Sequence, residues 1–201
     1  MFKLNYNKSL GIGFAILAII LLIQNTLYIL LQGSSSPSEY FWQMRGYYNQ
    51  SVRSLVPFLV QTGAVLFIAF LPSNKTSIWA KVGAILFIAS IGWICCGAHE
   101  EHLAIAEIIR GLGILLLVWG CTKLWMPLKI SYSVIGAIVI ANCVIGCIIL
   151  TTGSNPSAME TLLAVDLNLS VLEFFAILVT FVLSIVCVFK RDKSDSDAPQ
   201  S

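Results

Sequence analysis

Charge is scarce in this sequence: aspartate, glutamate, lysine and arginine together make up 11% of its 201 residues. A water-soluble domain carries about a quarter charged residues, so the deficit alone argues against water as the main solvent. No basic tract with interleaved aromatics occurs, so the electrostatic footprint of a nucleic-acid-binding surface is missing and no nucleic acid is expected as a partner. Histidine is rarer still, with only His99 and His102. The six cysteines (Cys95, Cys96, Cys121, Cys143, Cys147 and Cys187) never fall into the paired C-x-x-C spacing of a zinc finger. They also lack the short secreted context of a disulfide framework. Lying mostly inside apolar runs, they read as small buried hydrophobes.

What the chain has in abundance is apolar length. Hydrophobic residues make up 58% of it, gathered into six runs at about 10–31, 52–71, 77–96, 103–122, 130–150 and 171–189. Each fits the roughly 17–25 residues that a helix needs to cross a bilayer. The expected fold class is therefore all-α: a polytopic integral membrane protein with six transmembrane helices in one domain, residues 1–189. The polar segment 190–201 follows as a tail with too little apolar surface to fold. The first run is too long for the apolar core of a signal peptide and has no small-residue cleavage motif, so it counts as a span. Gln24, Asn25, Gln61 and Asn142 interrupt apolar runs and are expected to make interhelical hydrogen bonds. In the fifth run, Ser133, Ala137 and Ala141 recur every four residues, a small-residue stripe expected to let a neighbouring helix approach closely.

Short interfacial helices are expected in the first and last outer loops. Ser36, Pro37 and Glu39 have the spacing of a capping box with proline at the first helical position. Tyr40, Phe41, Met44, Tyr47 and Tyr48 then share one face, as aromatics at headgroup level do. Ser157 and Glu160 repeat the capping spacing ahead of a short apolar segment that ends at Val165. Ser170 and Glu173 repeat it once more at the start of the last run, which makes Glu173 a capping residue.

Orientation follows from the basic residues. Six crossings place Lys3, Lys8, Lys75, Lys81, Lys123, Lys129, Lys190, Arg191 and Lys193 on one side, and only Arg45, Arg53 and Arg110 on the other. Positive charge collects on the cytoplasmic side of short loops. Both termini are therefore expected to be cytoplasmic, with the protein in the cell membrane and the bilayer as its first partner.

One stretch combines both histidines with several acids at the mouth of a span: His99, Glu100, Glu101, His102, Glu107 and Arg110. Ionisable groups that enter a span are costly and mark functional sites by default. On one continuous helix His99, Glu100, Glu107 and Arg110 share a face, His102 lies at its margin and Glu101 points away. Arg110 then sits roughly 10 Å deeper than Leu103, and Glu107 one turn before it is the expected ion-pair partner. The first expectation is a non-enzymatic protein with an outward-facing polar pocket for a small solute or lipid headgroup, in a transporter-like or a binding and assembly role. The alternative is a membrane-embedded hydrolase using a divalent metal such as zinc, with His99 and His102 as ligands. The histidines are three apart, however, where the H-E-x-x-H pattern needs four, and no resident cofactor is expected.

Overall fold

The computed structural model describes residues 6–32, 55–70, 76–95, 100–152 and 156–189. They form six helices: α1 (Tyr6–Gln32), α2 (Leu55–Ala69), α3 (Ile78–Cys95), α4 (Glu100–Gly120), α5 (Met126–Thr152) and α6 (Pro156–Phe189). No β-strand occurs among the described residues; the nearest approach to one is an isolated antiparallel bridge between Thr76 and Cys121. The all-α expectation holds. The interfacial helix expected after Ser36 lies outside the described residues.

Each helix packs against the next in sequence and α6 returns to α1, which closes the six into a ring. The most extensive interfaces are α3 with α4 and α1 with α6. Backbone contact explains why. A methyl group on Gly83 would run into the backbone of Leu117, and one on Gly113 would lie 2.8 Å from the Phe87 amide nitrogen. Gly120 fits against the backbone of Ala80 in the same way, and Gly11 lies against the Ser184 carbonyl and the Val188 amide. Without hydrophobic drive between helices in lipid, such close approach is a main source of association. The ends of α3 and α4 are also tied by a 2.9 Å hydrogen bond from the Ser77 amide to the Gly120 carbonyl.

Side chains fill the ring. Phe14 on α1 and Tyr132 on α5 meet across it, with ring centroids 4.8 Å apart, and the Tyr132 hydroxyl donates to the Phe14 carbonyl. Phe87, Ile91, Ile114, Leu117, Leu128 and Ile135 are also fully enclosed. The outer surface is apolar as well: Ile12, Ile16, Ile19 and Ile23 make an exposed stripe on α1, and Leu172, Phe175, Val179, Val182 and Val186 make one on α6. Apolar stripes on both faces of a helix indicate an apolar solvent outside. Trp79, Trp119 and Met126 are exposed near the α3–α4–α5 turn. There Lys129 is buried, with its ammonium 5.6 Å over the Trp119 ring and donating to the Thr122 carbonyl.

Among the described residues, three stretches are long and apolar enough to cross a bilayer: Lys8–Thr26, Met126–Ile148 and Ala164–Phe189. The apolar parts of α2 and α3, Phe58–Ala69 and Ile78–Ile94, are shorter. The first half of α4 carries Glu100, Glu101, His102, Glu107 and Arg110.

Two local expectations need correcting. The separate outer segment ending at Val165 does not exist: α6 is a single helix of 34 residues from Pro156 to Phe189. Pro156 suits its first position, where no amide hydrogen is needed. The polar Asn168-Leu169-Ser170 stretch does not break it, because the Ser170 hydroxyl bonds back to the Asp166 carbonyl at 2.9 Å within the helix. The small-residue stripe on α5 is also misplaced. Ala137 is exposed, and the residue that meets α4 is Gly136, where a methyl group would lie 3.2 Å from the Gly111 carbonyl. Ser133 does face α4, accepting a 2.9 Å bond from the Trp119 indole. The contact face therefore runs Ser133, Gly136, Ile140 and not every fourth residue.

Candidate polar site in the bundle interior

Of the helix expected over residues 99–111, the part from Glu100 onward forms as the first half of α4. His99 lies outside the described residues. Glu100, Glu101 and His102 form the first turn of α4, but their side chains are also outside the described set. Glu107 and Arg110, one turn apart, form the expected ion pair at 2.6 Å. Both are enclosed, with 8% and 6% of their surfaces exposed.

The structure adds groups from two further helices to this pair. Asn142 on α5 donates to a Glu173 carboxylate oxygen on α6 at 3.3 Å. Glu107 and Arg110 both lie near enough to act electrostatically on Glu173 and on Cys143, and Asp166 acts on Glu173 from higher on α6. Glu173 was expected as a helix cap. It is instead the eighteenth residue of a 34-residue helix, where there is no free amide to cap. The capping spacing was real, but Ser170 uses its hydroxyl on Asp166 and leaves the Glu173 carboxylate to the interior. The signal that pointed correctly was Asn142, a polar residue in an apolar run, whose interhelical hydrogen bond is made as expected.

A second polar contact closes the other side of the ring. The Gln61 amide on α2 donates to the Gln24 side-chain oxygen on α1 at 2.8 Å, with Gln61 only 1% exposed. Asn25, the next residue on α1, is enclosed too. On α3, Ser90 is buried and donates to the Phe87 carbonyl at 2.7 Å. Phe87 faces Gly113, so Ser90 and Arg110 lie at matching heights above that contact. Every helix of the ring thus carries an enclosed or half-enclosed polar residue in its outer half, which together are called the polar layer: Gln24 and Asn25, Gln61, Ser90, Glu107 and Arg110, Asn142, and Glu173.

Chemically, this layer holds two carboxylates, one guanidinium and several amides. The guanidinium fork suits a carboxylate or phosphate, and the carboxylates suit a cation or a proton. Cys121 and Cys187 are buried free thiols, and Cys143 and Cys147 are partly buried free thiols, as the reading of small hydrophobes requires. Among the described residues, no three His, Cys, Asp or Glu side chains are grouped as a metal site would need; the side chains of His99 and His102 fall outside that statement. No family model matches the chain, and no curated protein or solved structure matches it either.

Proposed function

We propose that this is a multi-pass protein of the cell membrane that crosses the bilayer six times with both termini in the cytoplasm. In this reading its interior polar layer is a pocket that opens outward and binds a small polar solute or lipid headgroup, in a transport-like or a binding and assembly role. The observation that carries the reading is the enclosed Glu107–Arg110 pair with a second carboxylate, Glu173, beside it. A pair that only fixed helix packing would need no third charge, and a charge in hydrocarbon is retained where it does something.

Depth supports the outward opening. Counted from the inner end of α4, Arg110 lies about 15 Å and Glu107 about 20 Å up a hydrocarbon core of roughly 30 Å. The ionisable first turn of α4 lies above them on the same helix. The test is thermal unfolding of the detergent-purified protein against amino acids, dicarboxylates, polyamines and short-chain phospholipids. At least one class stabilises the wild type saturably and fails to stabilise Glu107→Gln and Arg110→Gln. Stabilisation that both variants keep, or none from any class, would remove the pocket.

A further inference from the structure

Asn25 has a side chain that the polar layer does not yet explain. It is 8% exposed, and its Oδ1 atom has no hydrogen-bond partner among the described residues. The Asn142 Oδ1 atom is unpartnered in the same way. A buried carbonyl oxygen without a donor is expensive, and two such oxygens at one site point to something positive that they accept.

Register brings the two together. Viewed down α1, Asn25 falls about 20° from Phe14, at 100° per residue, and Phe14 is the residue that meets α5 through Tyr132. Gly11, which meets α6 at Ser184 and Val188, falls about 60° from Phe14 on the same side. Asn25 therefore faces the seam between α5 and α6. Its height agrees by two independent routes. From the Phe14–Tyr132 contact, Asn25 rises about 16 Å along α1 and Asn142 about 15 Å along α5. From the Gly11 contact, Asn25 rises about 21 Å along α1, and Glu173 about 20 Å back along α6. Helical register thus puts Asn25 on α1 at about the height of the Asn142–Glu173 contact between α5 and α6.

The charge count states what belongs there. Glu107 and Arg110 cancel at 2.6 Å. Glu173 remains, hydrogen-bonded to a neutral amide, with Asp166 adding negative potential from above. Arg110 is the favourable charge acting on this carboxylate and Glu107 and Asp166 the unfavourable ones, so it is held ionised in the interior only with a further positive charge beside it. Carboxylate and amide oxygens are the donors that hard cations prefer, and in membrane carriers carbonyl oxygens at bundle depth serve that purpose.

We propose that Asn25, Asn142 and Glu173 bind a single small monovalent cation between α1, α5 and α6. The inference rests on the six-span reading with its interior polar layer. It adds the ligand class and a ligand residue on α1, whereas the solute site centres on α4. Sodium, potassium and ammonium share the required chemistry, and separate arms of one experiment distinguish them.

The experiment is thermal unfolding of the purified full chain at fixed pH and ionic strength, with N-methylglucamine chloride replaced stepwise by sodium, potassium or ammonium chloride. At least one of the three raises the unfolding temperature saturably. Asn25→Ala weakens that midpoint about tenfold or more, as the loss of one charge-assisted oxygen contact does. Asn25→Asp, which keeps an oxygen in place, retains binding. Glu173→Gln abolishes it, whereas Arg110→Gln does not. Equal behaviour of all four salts in the wild type overturns the proposal and leaves Glu173 neutralised by a proton. A midpoint unchanged in Asn25→Ala overturns the role of α1. Failure here beside a positive solute panel defeats the cation site alone. Cation binding without any solute response defeats the solute pocket alone.

Discussion

At the scale of single residues, the interior ion pair makes an asymmetric prediction. Removing one member of a buried pair leaves the other charge enclosed and costs on the order of 3 kcal/mol, whereas replacing both by apolar groups is close to neutral. Arg110→Leu therefore lowers the free energy of detergent-induced unfolding by about that amount, while Glu107→Leu combined with Arg110→Leu recovers most of the loss. A double variant as unstable as the single one would mean that Glu107 is held chiefly by other groups. Ser170 makes a second prediction, of a near-null effect. A serine that capped a helix would lose about 1 kcal/mol on replacement by alanine. Ser170 instead bonds back to the Asp166 carbonyl inside α6, so Ser170→Ala shifts stability by less than about 0.5 kcal/mol. The same unfolding measurement checks both.

At the scale of elements, what the sequence disclosed depended on whether a feature is local. Apolar runs announce helices because length and hydrophobicity suffice, and α1, α3, α4 and α5 all fall within a few residues of the expected ranges. The Glu107–Arg110 pair was equally legible, since residues three apart on a helix must be neighbours. Glu173 was not, because a capping box is also a local pattern and Ser170-Val-Leu-Glu173 satisfies it without a helix start. Only the continuity of α6 from Pro156 shows that nothing there needs a cap. The contact face of α5 was hidden for a related reason: spacing identifies small residues, but which of them meets a neighbour depends on helix rotation. Gly136 faces Gly111, while Ala137 turns outward. Close approach at the α3–α4 interface gives this element-scale account its test. Gly83→Ala, Gly113→Ala and Gly120→Ala each force backbone apart and cost about 1–3 kcal/mol, as overpacking does. At Gly63 or Gly92 an added methyl group meets nothing within 4 Å, so alanine there is neutral or stabilising by up to about 1 kcal/mol through helix propensity. Equal effects at all five positions would mean that the close α3–α4 packing does not form.

At the scale of the whole molecule, the number of crossings decides everything above. Among the described residues three stretches qualify as spans by length and composition alone, and a protein crossing three times has its termini on opposite sides. A six-crossing protein has them on the same side. The six-crossing proposal leans on the ring. Each helix lies against its sequence neighbours and α6 closes onto α1, so α2, α3 and α4 share the layer of α1, α5 and α6. Leu59, Phe67, Ile85 and Leu112 on these three helices are exposed. The start of α3 and the end of α4 are also tied together at Ser77 and Gly120, and Lys81, Lys123 and Lys129 lie close to them in sequence, which suits one cytoplasmic edge. Reporters fused to the N-terminus and to the C-terminus decide the matter, using one enzyme active only outside the membrane and one active only inside. Both fusions report the cytoplasm if the chain crosses six times. Opposite reports would reduce the bundle to three spans and take α4 out of the bilayer, with Glu107 and Arg110 left as an ion pair enclosed by protein alone.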